Sequence, residues 1–179
     1  MKLSAIIFSI VFSLLLFGAF PAAAEEKHEH KPYVGSEAFE SMKQLVGLWE
    51  ATMDMGKGPM KITASYRLTS GGSAIVETVF EGGPMGMMSV YHDNSKKMLT
   101  MVHYCAEHNQ PKFILTSMKD NRLTMELSKD SDIDVANETH IHAATIMFNG
   151  KDSMTQEWTK FEKGKKQPVM KIDYKRIRG

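Results

Sequence analysis

MKITASYRL, residues 60–68, alternates without a break: Met60, Ile62, Ala64, Tyr66 and Leu68 share one face, and Lys61, Thr63, Ser65 and Arg67 share the other. A period of two is the signature of extended backbone, so this stretch predicts a half-buried strand with one wet face. The same beat returns at Arg122–Ser128, where Leu123, Met125 and Leu127 form the apolar side. It returns again at Met170–Lys175, with Met170, Ile172 and Tyr174 inward. Turn chemistry punctuates the chain between such segments: Gly56–Pro59, Ser70-Gly71-Gly72, Gly82-Gly83-Pro84, Asp93-Asn94-Ser95, His108–Pro111, Asp120-Asn121, Asn149-Gly150 and the surroundings of Gly164. A longer polar link spans 128–139. About ten short strands joined mostly by hairpins, with no helical crossovers, make an antiparallel meander. Such a meander best avoids exposed edges by closing on itself. The expected fold is therefore all-β, a single up-and-down antiparallel barrel of about ten strands.

Upstream of this pattern the period is helical. Ser36 is placed to cap a short helix, with Glu37 in its first turn, and Phe39, Met42, Leu45 and Val46 recur on one face. The helix ends at Gly47-Leu48-Trp49, where the period changes to two. Further upstream, Lys2, the uncharged apolar run Ile6–Phe20, Pro21 and Ala22-Ala23-Ala24 have the three parts of a cleavable secretory signal. The run is short of the ~20 residues that span a bilayer. The expected organisation is a signal at 1–24, a flexible polar lead-in at 25–35 carrying His28 and His30, and one barrel domain at 36–179. Export would deliver it to the periplasm or the extracellular space, with no membrane span left after cleavage.

Cleavage removes one lysine from the 22 basic residues, leaving 21 against 21 acidic ones and no net charge with histidine neutral. Such a balance offers no field to hold nucleic acid or an anionic membrane. The single cysteine, Cys105, has no internal disulfide partner.

Facing follows from hairpin register, because paired residues lie on the same face. A short turn at Asp93–Lys96 pairs Val90 with Leu99 and Met88 with Met101, which turns Met88, Val90, Met101, His103 and Cys105 inward and Ser89 and Tyr91 outward. A two-residue Asn149-Gly150 turn pairs Phe148 with Lys151 and Ile141 with Trp158. With Trp158 and Met154 in the core, His140 and His142 then lie on the wet outer face, His142 opposite Glu157. A three-residue turn at Ser70-Gly71-Gly72 puts Glu77 outside.

Gly47-x-Trp49 at the entry to the first strand, after a short helix, resembles the calycin (lipocalin-like) barrels. The string Tyr91-His92, His103-Tyr104-Cys105 and Asn109-Gln110-Pro111 is similar to exported bacterial barrels of this kind with no assigned function. The resemblance spans roughly 36–179. It implies a barrel with an internal cavity, closed at one end by a basic residue of the last strand packed across the tryptophan, here Arg176 on Trp49. It implies no named ligand.

Three constellations bear on function. His103-x-Cys105-x-x-His108 offers imidazole and thiolate donors of the kind that take zinc or copper, or haem iron through one histidine, and His140 with His142 offers a second pair. The alternative is a wall histidine beside a buried thiol. Met53, Met55, Met85, Met87 and Met88 gather near two loops, either as thioether ligands or as adaptable filling. No nucleophile elbow or cavity carboxylate pair is expected, so no enzyme activity is assigned. Tyr66, Met88, Met101, His103, Cys105, Gln156 and Tyr174 together form a sparse polar set among apolar neighbours, suited to orienting one small apolar or amphipathic molecule. No cofactor is required for that function. An interaction module with a filled barrel is the remaining alternative.

Overall fold

The structure, a computed structural model, describes residues 31–179 apart from Met55 and Lys57. The expected signal and most of the lead-in, with His28 and His30, lie outside the described residues. Helix α1 (Glu37–Lys43) precedes strands β1 (Gly47–Asp54), β2 (Pro59–Thr69), β3 (Ala74–Val79), β4 (Met87–Asp93), β5 (Leu99–Tyr104), β6 (Lys112–Lys119), β7 (Arg122–Leu127), β8 (His140–Phe148), β9 (Ser153–Glu162), β10 (Lys165–Lys166) and β11 (Met170–Arg178). Each strand pairs antiparallel with the next from β1 to β9, and β11 pairs with both β9 and β1. The sheet thus closes into a ten-stranded barrel, with the two-residue β10 extending the ladder along β9. Closure leaves no free sheet edge in the barrel wall. Among the described residues no helix is long and apolar enough to cross a membrane.

Helix α1 plugs one end. The Ser36 hydroxyl accepts from the Phe39 amide and caps the first turn, while Ala38, Phe39, Met42 and Leu45 are buried in the barrel core. Asp93, at the end of β4, ties this segment down. Its carboxylate accepts from the Ser36 amide at 2.6 Å, the Ser36 hydroxyl at 2.7 Å and the Tyr33 hydroxyl at 3.1 Å. Tyr33, at the end of the expected lead-in, also meets Phe39 edge-to-face and carries the Lys97 ammonium over its ring.

The same end carries the Trp49–Arg176 contact. The two residues are paired across β1 and β11, and the guanidinium sits 4.1 Å from the indole centroid. Arg176 donates to the Gln44 and Val46 carbonyls at 2.6 and 2.7 Å, the carbonyls a helix end leaves open. Trp49 donates from Nε1 to the Leu45 carbonyl at 2.8 Å. Gly47 is required here: a Cβ would come within 2.4 Å of the Arg178 carbonyl and 2.8 Å of Arg176, at a positive φ. The Gly-x-Trp spacing thus lets β11 approach β1 while the indole lies under the arginine.

Three of the expected registers are corrected. Val90 pairs with Val102 rather than Leu99, and Met88 with Tyr104 rather than Met101. The β4–β5 connection is longer because Lys97 adopts a left-handed conformation and Asn94 closes onto Met98. β5 keeps its expected facing, with Leu99, Met101 and His103 buried, but β4 is reversed: Ser89 and Tyr91 are buried inside, and Met88 and Val90 are on the outer side. Phe148 pairs with Met154 rather than Lys151, and the Asn149-Gly150 link is closed from the Asn149 amide to the Ser153 carbonyl. Thr69 pairs with Ala74, a one-residue change that turns Glu77 inward, where it is fully buried.

Candidate functional site

At the end opposite α1 the barrel interior is hollow. A cavity of about 180 Å³ has a wall of Val79, Ile141, Trp158, Ile172, Tyr174 and Gln156, with His103 from β5. Its rim carries Phe80, Met85, Met87, Cys105, Glu107, Lys160 and Met170. The volume is small. Cavities of about 150 Å³ accept benzene, whereas drug-sized ligands occupy about 300 Å³ or more. A cavity of this size cannot enclose a tetrapyrrole.

Between this cavity and the helical plug lies a polar layer centred on Glu77. One carboxylate oxygen accepts from the Tyr66 hydroxyl at 2.7 Å and from the Gln156 amide at 2.6 Å; the other accepts from the Tyr91 hydroxyl at 2.7 Å. Gln156 in turn accepts from the Trp158 indole at 3.2 Å. Burial first, and the Glu77 charge second, hold the Tyr66 and Tyr91 phenols well above their ordinary pKa, so both stay protonated donors. Tyr66, Tyr91 and Gln156 thus share Glu77 as their common acceptor. Buried polar groups are normally paired, and Tyr174 is the exception in this layer. Its hydroxyl is buried, lines the cavity and has no partner among the described residues. Burial, then Glu77, raises its pKa too.

His103 lies against Trp158, ring centroids 5.1 Å apart, with Nδ1 at 3.0 Å from the Ser89 hydroxyl. Burial pushes its pKa down to about 4. The unfolded chain therefore binds a proton that the folded chain refuses between about pH 6.5 and 4. Stability is expected to fall across that window by about 3 kcal/mol. His103→Gln should flatten this part of the curve, checked by urea unfolding at stepped pH. Half-buried His142 is also depressed, by burial first and then by His140, and stays in both proteins, so the difference between them isolates His103.

The residues expected to act together are only partly assembled. Tyr66, Met101, His103, Gln156 and Tyr174 are inside; Met88 is not. Cys105 is half-buried at the cavity rim, its thiol pushed up by burial. His108 is exposed in the following turn and does not line the cavity. His140 and His142 share the outer side with Phe161, since their neighbours Ile141 and Lys160 reach the cavity. A bulge between Ile141 and Ala143 sets this facing. The expectation of a wet pair is corrected. His140 is fully buried, bonded through Nδ1 to the Glu138 carbonyl and through Nε2 to His142 Nδ1 at 3.1 Å, and His142 stacks on Phe161. Glu157 lies opposite Thr145, not His142. Among the described residues no three His, Cys, Asp or Glu side chains converge to hold a metal ion.

Sequence reasoning missed Glu77, Tyr91 and Ser89. Ser89 is buried and does not line the cavity, so its contact with His103 is not an accessible nucleophile–base pair. The rim charge Lys160 is held by Glu107 at 2.8 Å and Glu162 at 3.1 Å.

No family model matches the sequence, and no curated protein matches it. Among solved structures, the chain is similar to a protein of unknown function from the DUF3598 family of Nostoc punctiforme. The TM-score is 0.52 at 11% identity, and the match covers 82% of this chain and 51% of that one. The chain thus spans about half the length of this neighbour, and the likeness is one of fold.

Proposed function

We propose that this chain is an exported, non-enzymatic binding protein of calycin type that holds one small apolar or amphipathic molecule at the open end of its barrel. The observation carrying this reading is the unpaired Tyr174 hydroxyl facing a cavity otherwise walled by Val79, Ile141, Ile172 and Trp158. A buried hydroxyl without a partner costs about 1–3 kcal/mol, and a ligand polar group reaching it recovers that cost. The apolar wall supplies affinity by burial, and the few polar groups fix orientation. Calycin membership draws on the Trp49–Arg176 closure, and export on the N-terminal signal pattern.

Native mass spectrometry of protein purified from its own source is expected to show a small added mass that organic solvent releases. Val79→Phe, which fills the cavity, should lack it. Bare polypeptide mass in repeated preparations, together with no uptake of phenol by the purified protein, would sink the reading.

A further inference from the structure

We propose that the cavity mouth binds one Cu(I) ion, held by His103 Nε2, the Cys105 thiolate and the Met87 thioether. This goes beyond the binding of a small organic molecule and does not depend on it.

Strand register brings the three donors together. Ser89 pairs with His103, and Met88 with Tyr104, across β4 and β5. One step further along the same register, Met87 comes opposite Cys105, on the face of the Ser89–His103 pair. Residues so placed have Cβ atoms about 4.5–5.5 Å apart. Cys105, just past the end of β5, follows His103 by two residues and so shares its side. All three residues line the cavity. His103 is only 3% exposed, and its Nδ1 is engaged with the Ser89 hydroxyl at 3.0 Å. The described residues supply no hydrogen-bond partner for its Nε2. Burial, which pushes its pKa down to about 4, keeps the ring neutral at pH 7, as a ligand must be. The Ser89 oxygen can accept from Nδ1–H, the kind of outer bond that orients a metal-bound imidazole.

Donor type and charge choose the ion. Thiolate and thioether sulfur favour Cu(I). Hard cations need carboxylates, and the nearby ones are engaged: Glu107 with Lys160, and Glu77 with Tyr66, Tyr91 and Gln156. The Cys105 thiol, its pKa raised by burial, holds its proton in the empty site and gives it to water when the copper–sulfur bond forms. Cu(I) with one thiolate is then a neutral pair. Zn²⁺ with the same single thiolate leaves a net positive charge against Val79, Ile141, Ile172 and Trp158, which is costly to bury.

Anaerobic titration of the purified protein with Cu(I) against bicinchoninate is expected to show one ion bound per chain. About one proton should be released with it, and Cys105→Ser should abolish that release. X-ray absorption on the complex should show nitrogen and sulfur scatterers together. Ser89→Ala, which leaves all three donors in place, is expected to weaken binding about 10- to 100-fold. Met87→Leu removes a ligand at similar volume and should cost more than Ser89→Ala, while the exposed Met118→Leu should cost nothing. Unchanged Cu(I) affinity in a folded Met87→Leu or Cys105→Ser places the ion elsewhere and overturns the proposal. So does a shell without sulfur, Zn²⁺ binding as tight as Cu(I), or failure to compete with bicinchoninate.

Discussion

Replacing Glu77 by alanine is expected to lower the free energy of unfolding by about 3–5 kcal/mol, read as a shift of the urea midpoint at unchanged slope. The carboxylate is the common acceptor for Tyr66, Tyr91 and Gln156, all of which are essentially inaccessible to water. Removing it strands the Tyr66 and Tyr91 hydroxyls in a low-dielectric interior and leaves Gln156 only the Tyr66 oxygen to donate to, and an unmade buried hydrogen bond costs more than a made one contributes. Against a typical domain stability of about 5–15 kcal/mol, the loss is large. The charge itself is a separate matter, because a buried ion is expensive and its neutral replacement by well-packed apolar groups is often tolerated. The triple variant Glu77→Leu, Tyr66→Phe, Tyr91→Phe is therefore expected to lose less than Glu77→Ala alone. If the triple variant proves the sum of its parts, the three residues do not act as a unit.

This layer also explains where the sequence was legible and where it was not. The alternation in β2, β7 and β11 was readable because their inward residues, Ile62, Ala64 and Tyr66 in β2, Leu123 and Met125 in β7, and Ile172 and Tyr174 in β11, are apolar or aromatic. In β4 the rule inverts. Ser89 and Tyr91 go inside because Glu77 and His103 are there to satisfy them, while Met88 and Val90 stay on the outer side. In β3 both parities carry aliphatic residues, Ile75 and Val79 on one and Val76 on the other, so only loop length decides which face Glu77 joins. Loop length was hidden too. Glycine signals mark the Ser70–Gly72 and Asn149-Gly150 links, yet the β4–β5 turn places Lys97 in the left-handed region, a conformation no lysine advertises. The cue that was available is Glu77 itself: it shares parity with Ile75 and Val79, and the neighbouring strands offer Tyr66 directly opposite it and Tyr91 opposite Ile75 on the same face. The end closed by α1 was legible for the opposite reason, since its helix cap, helical period and Gly47-Leu48-Trp49 are all local signals.

That closed end carries Trp49, the largest fully buried side chain, and the second of the two large effects. Trp49→Ala is expected to destabilise the protein by about 3–5 kcal/mol, the range for emptying a fully buried aromatic site. The indole is wholly inaccessible, and its removal breaks more than packing. The Leu45 carbonyl loses its donor, and the Arg176 guanidinium loses the ring beneath it, a contact worth about 0.5–2 kcal/mol depending on exposure. Arg176 still holds the Gln44 and Val46 carbonyls, so the helix is not released outright. Trp49→Phe separates the contributions, because it keeps an aromatic face for the arginine and loses only volume and the Nε1 donor. It is expected to cost about 1–2 kcal/mol. Arg176→Lys keeps the charge but cannot reach Gln44, Val46 and Lys151 together with one ammonium, so it should fall between the two tryptophan variants. In the double variant Trp49→Ala, Arg176→Lys the losses should be less than additive, because each removes part of the same contact. Strict additivity in urea unfolding would mean that the arginine closes the barrel through the helix carbonyls alone. A coupling of about 1 kcal/mol or more would assign the remainder to the indole face.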